Sequence, residues 1–444
     1  MISGLIDLVR SRGFQADALR RRADTTSISF ESGRLKAAAV SEQAGINLRV
    51  VKDGRVGIAG TTATGDAELE SLADRAAASA DLGEALALTF PRNAPHPPVV
   101  TFFDAVADVS LDALTDIGRE VMGRLARDGV QVNVTIEREV AETEVANTAG
   151  AIGAYITTGL TVAADLTRIA GDDVLMVYDY YTGCGMPSAT DLDALVASIL
   201  TRLELALRVV PPPEGALPVV FTPQGLSAIL LPVEQALSGK SVLQGISPLA
   251  GKKGQQAFDI RFSITDDPVV SGRPGSRPVD DEGVPSAALP LVAGGVVRNF
   301  VYDLETAARA DHGAQSTGHG ARGIFGKPHI GYSNLVVGVA DGPPPGETRV
   351  FAGGLAAGIS DGLVVDDLIG VGQGNVSGGA FSHPVALAYR IEKGEITGRV
   401  KDAAVAGNAY DLLQKIGGAG NDGRWLSSRW SPSLLLEGVS VARR

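Results

Sequence analysis

Apolar and polar positions alternate with period two through much of the first sixty residues. The stretch "TTSISFESGRLKAAAVSEQAGINLRVVKDGRVGIAG" (25–60) is punctuated by "SGR", "QAG" and "KDGR". Alternation between three turn signals predicts a meander of antiparallel strands. In front of it, "MISGLIDLVRSRGF" sets its apolar residues on one helical face and predicts an amphipathic first helix. A polar helix is expected at about 66–82, followed by the proline-rich connector "PRNAPHPPVV" (91–100). The same order then recurs. Helix "SLDALTDIGREVMGRLARDG" (110–129) leads into strands over 131–182 with turns at "NTAGA" and "IAGDD", and a helix at about 190–208 closes the set. Helix followed by strand meander, occurring twice, predicts an α+β domain over 1–210 with helices packed on an antiparallel sheet.

"PPPEG" (211–215) is the strongest break, and 217–444 is mostly short strands and glycine turns. "GLVVDDLIGVGQG" and "ALAYRIEKGEITGRVKDAAVAG" read as β-hairpins, a helix is expected at about 303–311, and the whole predicts a β-rich sandwich or barrel-like domain. Its opening helix contains "AILLPVEQALSGK" (228–240). Leu226, Ile229, Leu230, Val233 and Leu237 follow the spacing of one buried face. Thr222 stands where a cap is needed, with Pro223 at the first helical position, and Pro232 predicts a kink or split. The acid on this helix is Glu234, and it carries no histidine.

Composition narrows the function classes. With 45% hydrophobic and 20% charged residues over 444 positions, the chain is expected to fold into large cores. A net charge of −12 argues against a nucleic-acid or anionic-membrane surface. No apolar run approaches the roughly 18–20 residues of a membrane span, and Asp7 interrupts the first apolar pattern, so no signal core is expected. The single cysteine, Cys184, excludes an internal disulfide and fits a reducing cytoplasm.

Candidate chemistry is sparse. The five histidines are His96, His312, His319, His329 and His383, and none lies four residues from another on a helix. His96 sits in the connector and reads as surface. His312 and His319 flank "GAQSTG" without a carboxylate pair or cysteine at ligand spacing, so contact with substrate or backbone suits them better than metal. Cys184 could be a nucleophile only beside a histidine; otherwise it is a small buried hydrophobe. "DDEG" (280–283) reads as a turn whose carboxylates bind backbone amides rather than as a general acid. "GVGQGN" (370–375) lacks the Lys-Ser/Thr and the helix of a phosphate loop, and the serine-rich "RWLSSRWSPS" (424–433) lacks a nucleophile elbow. Residue chemistry by itself shows no self-sufficient active site.

"GINLRVVKDGRVGIAGTT", "VDDEGVP", "STGHGARG", "GEITGRVKDAAVAGN" and "GNDGRW…SPSLLLEGVSV" occur in one order over nearly the whole chain. Together they resemble the TldD/TldE (PmbA) family of metallopeptidase subunits, often labelled modulators of DNA gyrase. In that family the TldD type carries HExxxH on a helix early in the C-terminal domain and a cysteine near the C-terminus, which hold the catalytic zinc. Here the helix reads "LLPVEQALSGK", and 424–433 offers Ser427, Ser428, Ser431 and Ser433 but no cysteine. The resemblance therefore implies a TldE/PmbA-type subunit with no catalytic residue and no metal ligand of its own. Zinc would belong to a TldD-type HExxxH partner in a cytoplasmic heterodimer that processes unfolded or leader peptides. Substrate backbone held as an added strand would meet glycine-rich loops, expected at Ser316, Thr317, Gly318, His319 and Gly320 and at Gly372, Gln373 and Gly374. No cofactor, nucleic acid or membrane is expected as a ligand of this chain, and the isolated chain could form a homodimer. Two alternatives are an independent hydrolase using Cys184 or His312 with His319, and a regulatory protein-binding modulator of a topoisomerase.

Overall fold

In the computed structural model, which describes residues 2–63, 65–310, 313–340, 342 and 351–444, the N-terminal part is organised around one long sheet. Helix α1 (Ile2–Ser11) is followed by β1 (Gln15–Glu31), β2 (Arg34–Lys52), β3 (Arg55–Thr61) and α2 (Asp66–Asp81). After the irregular connector come α3 (Asp104–Ala107), α4 (Leu111–Leu125), β4 (Val130–Asn147), β5 (Ile152–Ala170), β6 (Asp173–Gly183) and α5 (Ala189–Ala206). The strands pair antiparallel in the order β3-β2-β1-β4-β5-β6. Each half thus contributes a meander, and the first strand of each meets its counterpart in the middle, Ala23 opposite Ala141. The sheet curves into a half-barrel. Ser110 caps α4 through its Ala113 amide, and Ser188 with Asp191 forms a capping box on α5.

Two details depart from the pattern read along the chain. "QAG" is no turn, because β2 runs straight through Gln43–Gly45. Gly45 marks a close approach instead: a Cβ there would lie 2.5 Å from Ile324 Cγ2 and 2.6 Å from the Thr61 carbonyl oxygen. Strand β1 also begins at Gln15, ten residues before the expected start, since Arg20, Arg21 and Arg22 belong to it. Their charges break the alternation, yet each meets a carboxylate on a neighbouring strand, Glu144, Glu139 and Glu42 respectively.

The second part runs β7 (Val209–Val210), β8 (Gly215–Phe221), α6 (Ser227–Leu237), α7 (Gly239–Leu243), β9 (Phe262–Asp266), β10 (Leu289–Ala293), β11 (Val296–Val297) and α8 (Leu304–Arg309). It continues with β12 (Gly320–Ala321), β13 (His329–Ile330), β14 (Leu335–Val339), β15 (Asp361–Leu368), β16 (Ala380–Glu392), β17 (Glu395–Val400), β18 (Ala403–Asn408) and α9 (Ala409–Leu412). The last elements are β19 (Ile416–Ala419), β20 (Arg424–Leu426), β21 (Arg429–Ser431) and β22 (Leu434–Arg443). Strands β15, β8, β22, β18 and β16 pair in sequence, and β15 pairs β16 again, which closes a barrel. A separate sheet has the order β11-β10-β9-β14-β21-β20. The fold is therefore α+β with a closed β-barrel in its second part. No helix among the described residues is long and apolar enough to cross a membrane.

Helix α6 lies in the shared core of the barrel and the second sheet. Leu226, Ile229, Leu230, Val233 and Leu237 are all buried among Phe221, Leu434 and Leu363 of the barrel and Phe262, Ile264 and Leu335 of the sheet. Thr222 bonds the Gly225 amide in a turn before the helix rather than capping it, so α6 itself begins at Ser227. Pro232 does not split it. The helix runs on to Leu237 and breaks at Ser238, whose backbone is extended.

Candidate functional site

That break is where the site begins. With Ser238 out of the helix, the Glu234 carbonyl loses its usual partner, and the Tyr332 hydroxyl donates to it at 2.5 Å. The Tyr410 hydroxyl likewise donates to the Pro232 carbonyl at 2.9 Å. Two tyrosines thus hold the half-buried side of a helix whose other side is core. The carboxylate of Glu234 faces the hairpin of β20 and β21, where Arg429 Nη1 lies 3.9 Å away. Arg429 Nη2 donates to Ser227 Oγ at 2.9 Å and to the Pro223 carbonyl at 3.2 Å, tying the hairpin to the start of α6.

Between them lies a cavity of about 380 Å³. Glu234, Ser227 and Gln224 come from α6 and its approach, Ser428 and Arg429 from the hairpin, Asp367 from β15, and Tyr332 from the segment before β14. Leu335, Leu368, Val371 and Leu426 add apolar lining, and the half-barrel contributes Tyr178 and Tyr180, on the same face of β6. Burial pushes the Tyr178 hydroxyl up to about 12, aided by Asp367, and raises those of Tyr180 and Tyr332. At neutral pH the tyrosines are therefore uncharged and able to donate. Burial also raises Glu234, against the opposing pull of Arg429, and raises Asp367.

Beneath the cavity a charged network joins the two parts of the molecule. Asp179 of β6 accepts from Arg202 of α5 at 2.8 Å and Arg424 of β20 at 2.6 Å, while Arg202 also reaches Asp366 of β15 at 3.0 Å. Burial pushes Asp179 upward, but the adjacent Arg424 and Arg202 outweigh it and hold the carboxyl below its ordinary range. This network fixes Tyr178 and Tyr180 against the hairpin.

Zinc would require nitrogen, sulfur or carboxylate ligands in a tight shell. The cavity lining contains no histidine or cysteine, and its Glu234 carboxylate faces a guanidinium. Among the described residues no group of three His, Cys, Asp or Glu side chains is placed to hold a metal ion. The residues at this position do not fit a catalytic zinc.

Of the residues proposed from sequence, Gly372, Gln373 and Gly374 follow Val371, which lines the cavity, and Gly372 lies against Leu231 of α6. Ser316–Gly320 lies elsewhere, behind Tyr332. His319 is fully buried; its Nε2 pairs with Asp266 at 2.9 Å and its Nδ1 with Thr317 at 2.9 Å, so both ring nitrogens have structural partners. Thr317 and Ser316 bond the Tyr302 carbonyl, and Gly320 donates to Asp280. His312 lies outside the described residues. Cys184 is buried with its thiol donating to the Arg273 carbonyl at 3.3 Å, and burial pushes it up to about 11, which disfavours the thiolate a nucleophile requires.

"DDEG" behaves as the turn it resembled. Asp280 accepts from the amides of Glu282, Val284 and Gly320, and Asp281 from that of Arg322. Glu282 turns the other way and meets Arg49 of β2 at 2.8 Å, while Arg49 holds Asp17 of β1 through two hydrogen bonds. These motifs dock the half-barrel onto the second part. Tyr178, Tyr180, Tyr332, Asp367 and Arg429 escaped the sequence reading; the period-two placement of Tyr178 and Tyr180 was the one visible signal.

A family model described as the PmbA/TldA metallopeptidase C-terminal domain matches residues 214–443, and one described as PmbA/TldA metallopeptidase domain 1 matches residues 16–80. The chain belongs to the PmbA/TldD metallopeptidase family. A metalloprotease of Methanothermobacter thermautotrophicus is 25% identical over 431 residues, spanning 94% of this chain and 90% of the relative. A metalloprotease TldD homologue of Haemophilus influenzae is 32% identical over 217 residues, 47% of this chain and 42% of its own length. The crystal structure of TldE from Thermococcus kodakarensis shares the fold, with a TM-score of 0.87 at 23% identity and 99% of each chain covered. Helix α6 and the β20–β21 hairpin meet at the cavity.

Proposed function

We propose that this chain is a non-catalytic, TldE/PmbA-like subunit of a heterodimeric metallopeptidase, and that its cavity forms part of the wall of a peptide cleft completed by a zinc-bearing TldD-type partner. One observation carries the reading: α6 and the β20–β21 hairpin frame a cavity, but present Glu234 and Arg429 to each other where a hydrolytic site would need metal ligands. Without a metal to activate water, Glu234 has no nucleophile to generate. Its role here is electrostatic, as the partner of Arg429. The Tyr178 and Tyr180 hydroxyls and the glycine-rich loop beside it offer donors and close backbone approach to an extended peptide.

The purified chain should bind no stoichiometric zinc and cleave no unfolded peptide. Cleavage should arise when a TldD-type HExxxH subunit is added, with the two chains eluting together from a sizing column. A tightly held zinc in the isolated chain, or peptidase activity without the partner, would sink the proposal. Association with a topoisomerase in the absence of any TldD-type subunit would favour the regulatory alternative.

A further inference from the structure

Arg429 is only partly used by the protein around it. One nitrogen, Nη2, is engaged by Ser227 and the Pro223 carbonyl. Nε is buried without a hydrogen-bond partner, and Nη1 reaches Glu234 only at 3.9 Å, beyond hydrogen-bond distance. Both N–H groups of Nη2 are engaged and Nε is sealed from the cavity, so Nη1 is the nitrogen left to donate, and a carboxylate oxygen is its natural charge-assisted acceptor. Glu234 supplies the charge but not the contact, because its backbone is fixed on α6 and held there by Tyr332. The cavity in front of Arg429 is large enough for the end of a peptide. Its other walls, Tyr178, Tyr180, Ser428 and Ser227, carry hydroxyls rather than further cations.

Resting on the peptide-cleft reading, we propose that Arg429 receives a carboxylate of the bound peptide, a C-terminal carboxylate or that of an acidic side chain. Glu234 and Asp367, both on the same cavity, disfavour a second negative charge anywhere except against the guanidinium. The site would therefore accept one carboxylate in one position. Arg429 acts here as a specificity-determining residue, not a catalytic one.

The test is calorimetric binding to the full chain of three N-acetylated pentapeptides: a free acid of apolar residues, its C-terminal amide, and an amide with one internal Glu. The free acid or the Glu-containing amide should bind at least about tenfold more tightly than the apolar amide, as expected for one charge-assisted pair. Which of the two does so identifies the source of the carboxylate. Arg429→Gln should erase the difference. Since that substitution also removes a tie to α6, Glu234→Gln provides a second arm: with the competing carboxylate gone, the acid-bearing peptide should bind several-fold more tightly. Equal binding of all three peptides, or no response to Glu234→Gln, overturns the carboxylate assignment and leaves the cleft reading standing. Failure of every peptide to bind, both to the chain alone and to its complex with a TldD-type subunit, overturns both.

Discussion

Single residues here divide into those that hold the fold and those left with unused capacity. Arg49 is of the first kind. It is buried with two bonds to Asp17 and one contact to Glu282, so its loss takes the guanidinium from Glu282 and leaves Asp17 to Arg322 alone. Arg49→Met should destabilise the protein by about 3–5 kcal/mol, the cost of breaking a buried pair by removing one partner; urea unfolding followed by fluorescence measures it. A cost below 1 kcal/mol would mean water reaches the cluster. Cys184 is also structural, its thiol raised by burial and given to a carbonyl. It should resist a thiol reagent at pH 8 in the native protein and react fully in denaturant. Rapid native reaction would revive a thiol role for it.

At the scale of elements, glycines distinguish close packing from open surface. Gly45 in β2 faces Ile324 and the Thr61 carbonyl at under 3 Å from where a Cβ would stand. Gly45→Val should therefore cost at least about 1–3 kcal/mol through overpacking, although valine is the better strand former. Gly123 in α4 has open space at its Cβ position, so Gly123→Ala should raise stability by about 0.5–1 kcal/mol through helix propensity. Thermal unfolding of both variants tests the pair, and a stabilising Gly45→Val would contradict the packing described. Helix α6 makes a related point. Pro232 removes one backbone bond, but the helix persists because its apolar face is buried on two sides and Tyr410 supports the proline carbonyl.

For the whole molecule, the decisive feature is the charged joint between half-barrel and barrel. Asp179 is held below its ordinary range by Arg424 and Arg202 in the folded protein. A depressed carboxyl stabilises the fold above its unfolded value of about 3.9 and loses that contribution as pH falls toward the folded value. Stability should accordingly decline as the solution is acidified below about pH 4. Asp179→Asn should lower stability at neutral pH by several kcal/mol and flatten the acid limb. Denaturant midpoints from pH 7 to pH 3 give both, and an unchanged acid limb would show that Asp179 does not control it. Because Tyr178 and Tyr180 flank Asp179, the same variant should also loosen the cavity wall.

The linear pattern was enough to determine the local grammar: the amphipathic helices, the repeated meander, the turns at "KDGR" and "IAGDD", and the buried face of α6. Those features depend on near neighbours, through periodicity and backbone preference, and near neighbours are what a sequence displays. Its five motifs in order likewise pointed to the family. Tertiary structure decided the rest. It turned "QAG" from a turn into a strand because Gly45 meets Ile324, some 279 positions away. It placed "STGHG" behind a wall by giving both nitrogens of His319 to Asp266 and Thr317. The cavity itself unites β6, α6, β15 and the final hairpin, and the meeting of Arg429 with Glu234 depends on how the strands are threaded through two sheets. Side chains brought together by sheet topology carry no mark of that proximity along the chain, so the chemistry of the candidate site became visible only in the fold.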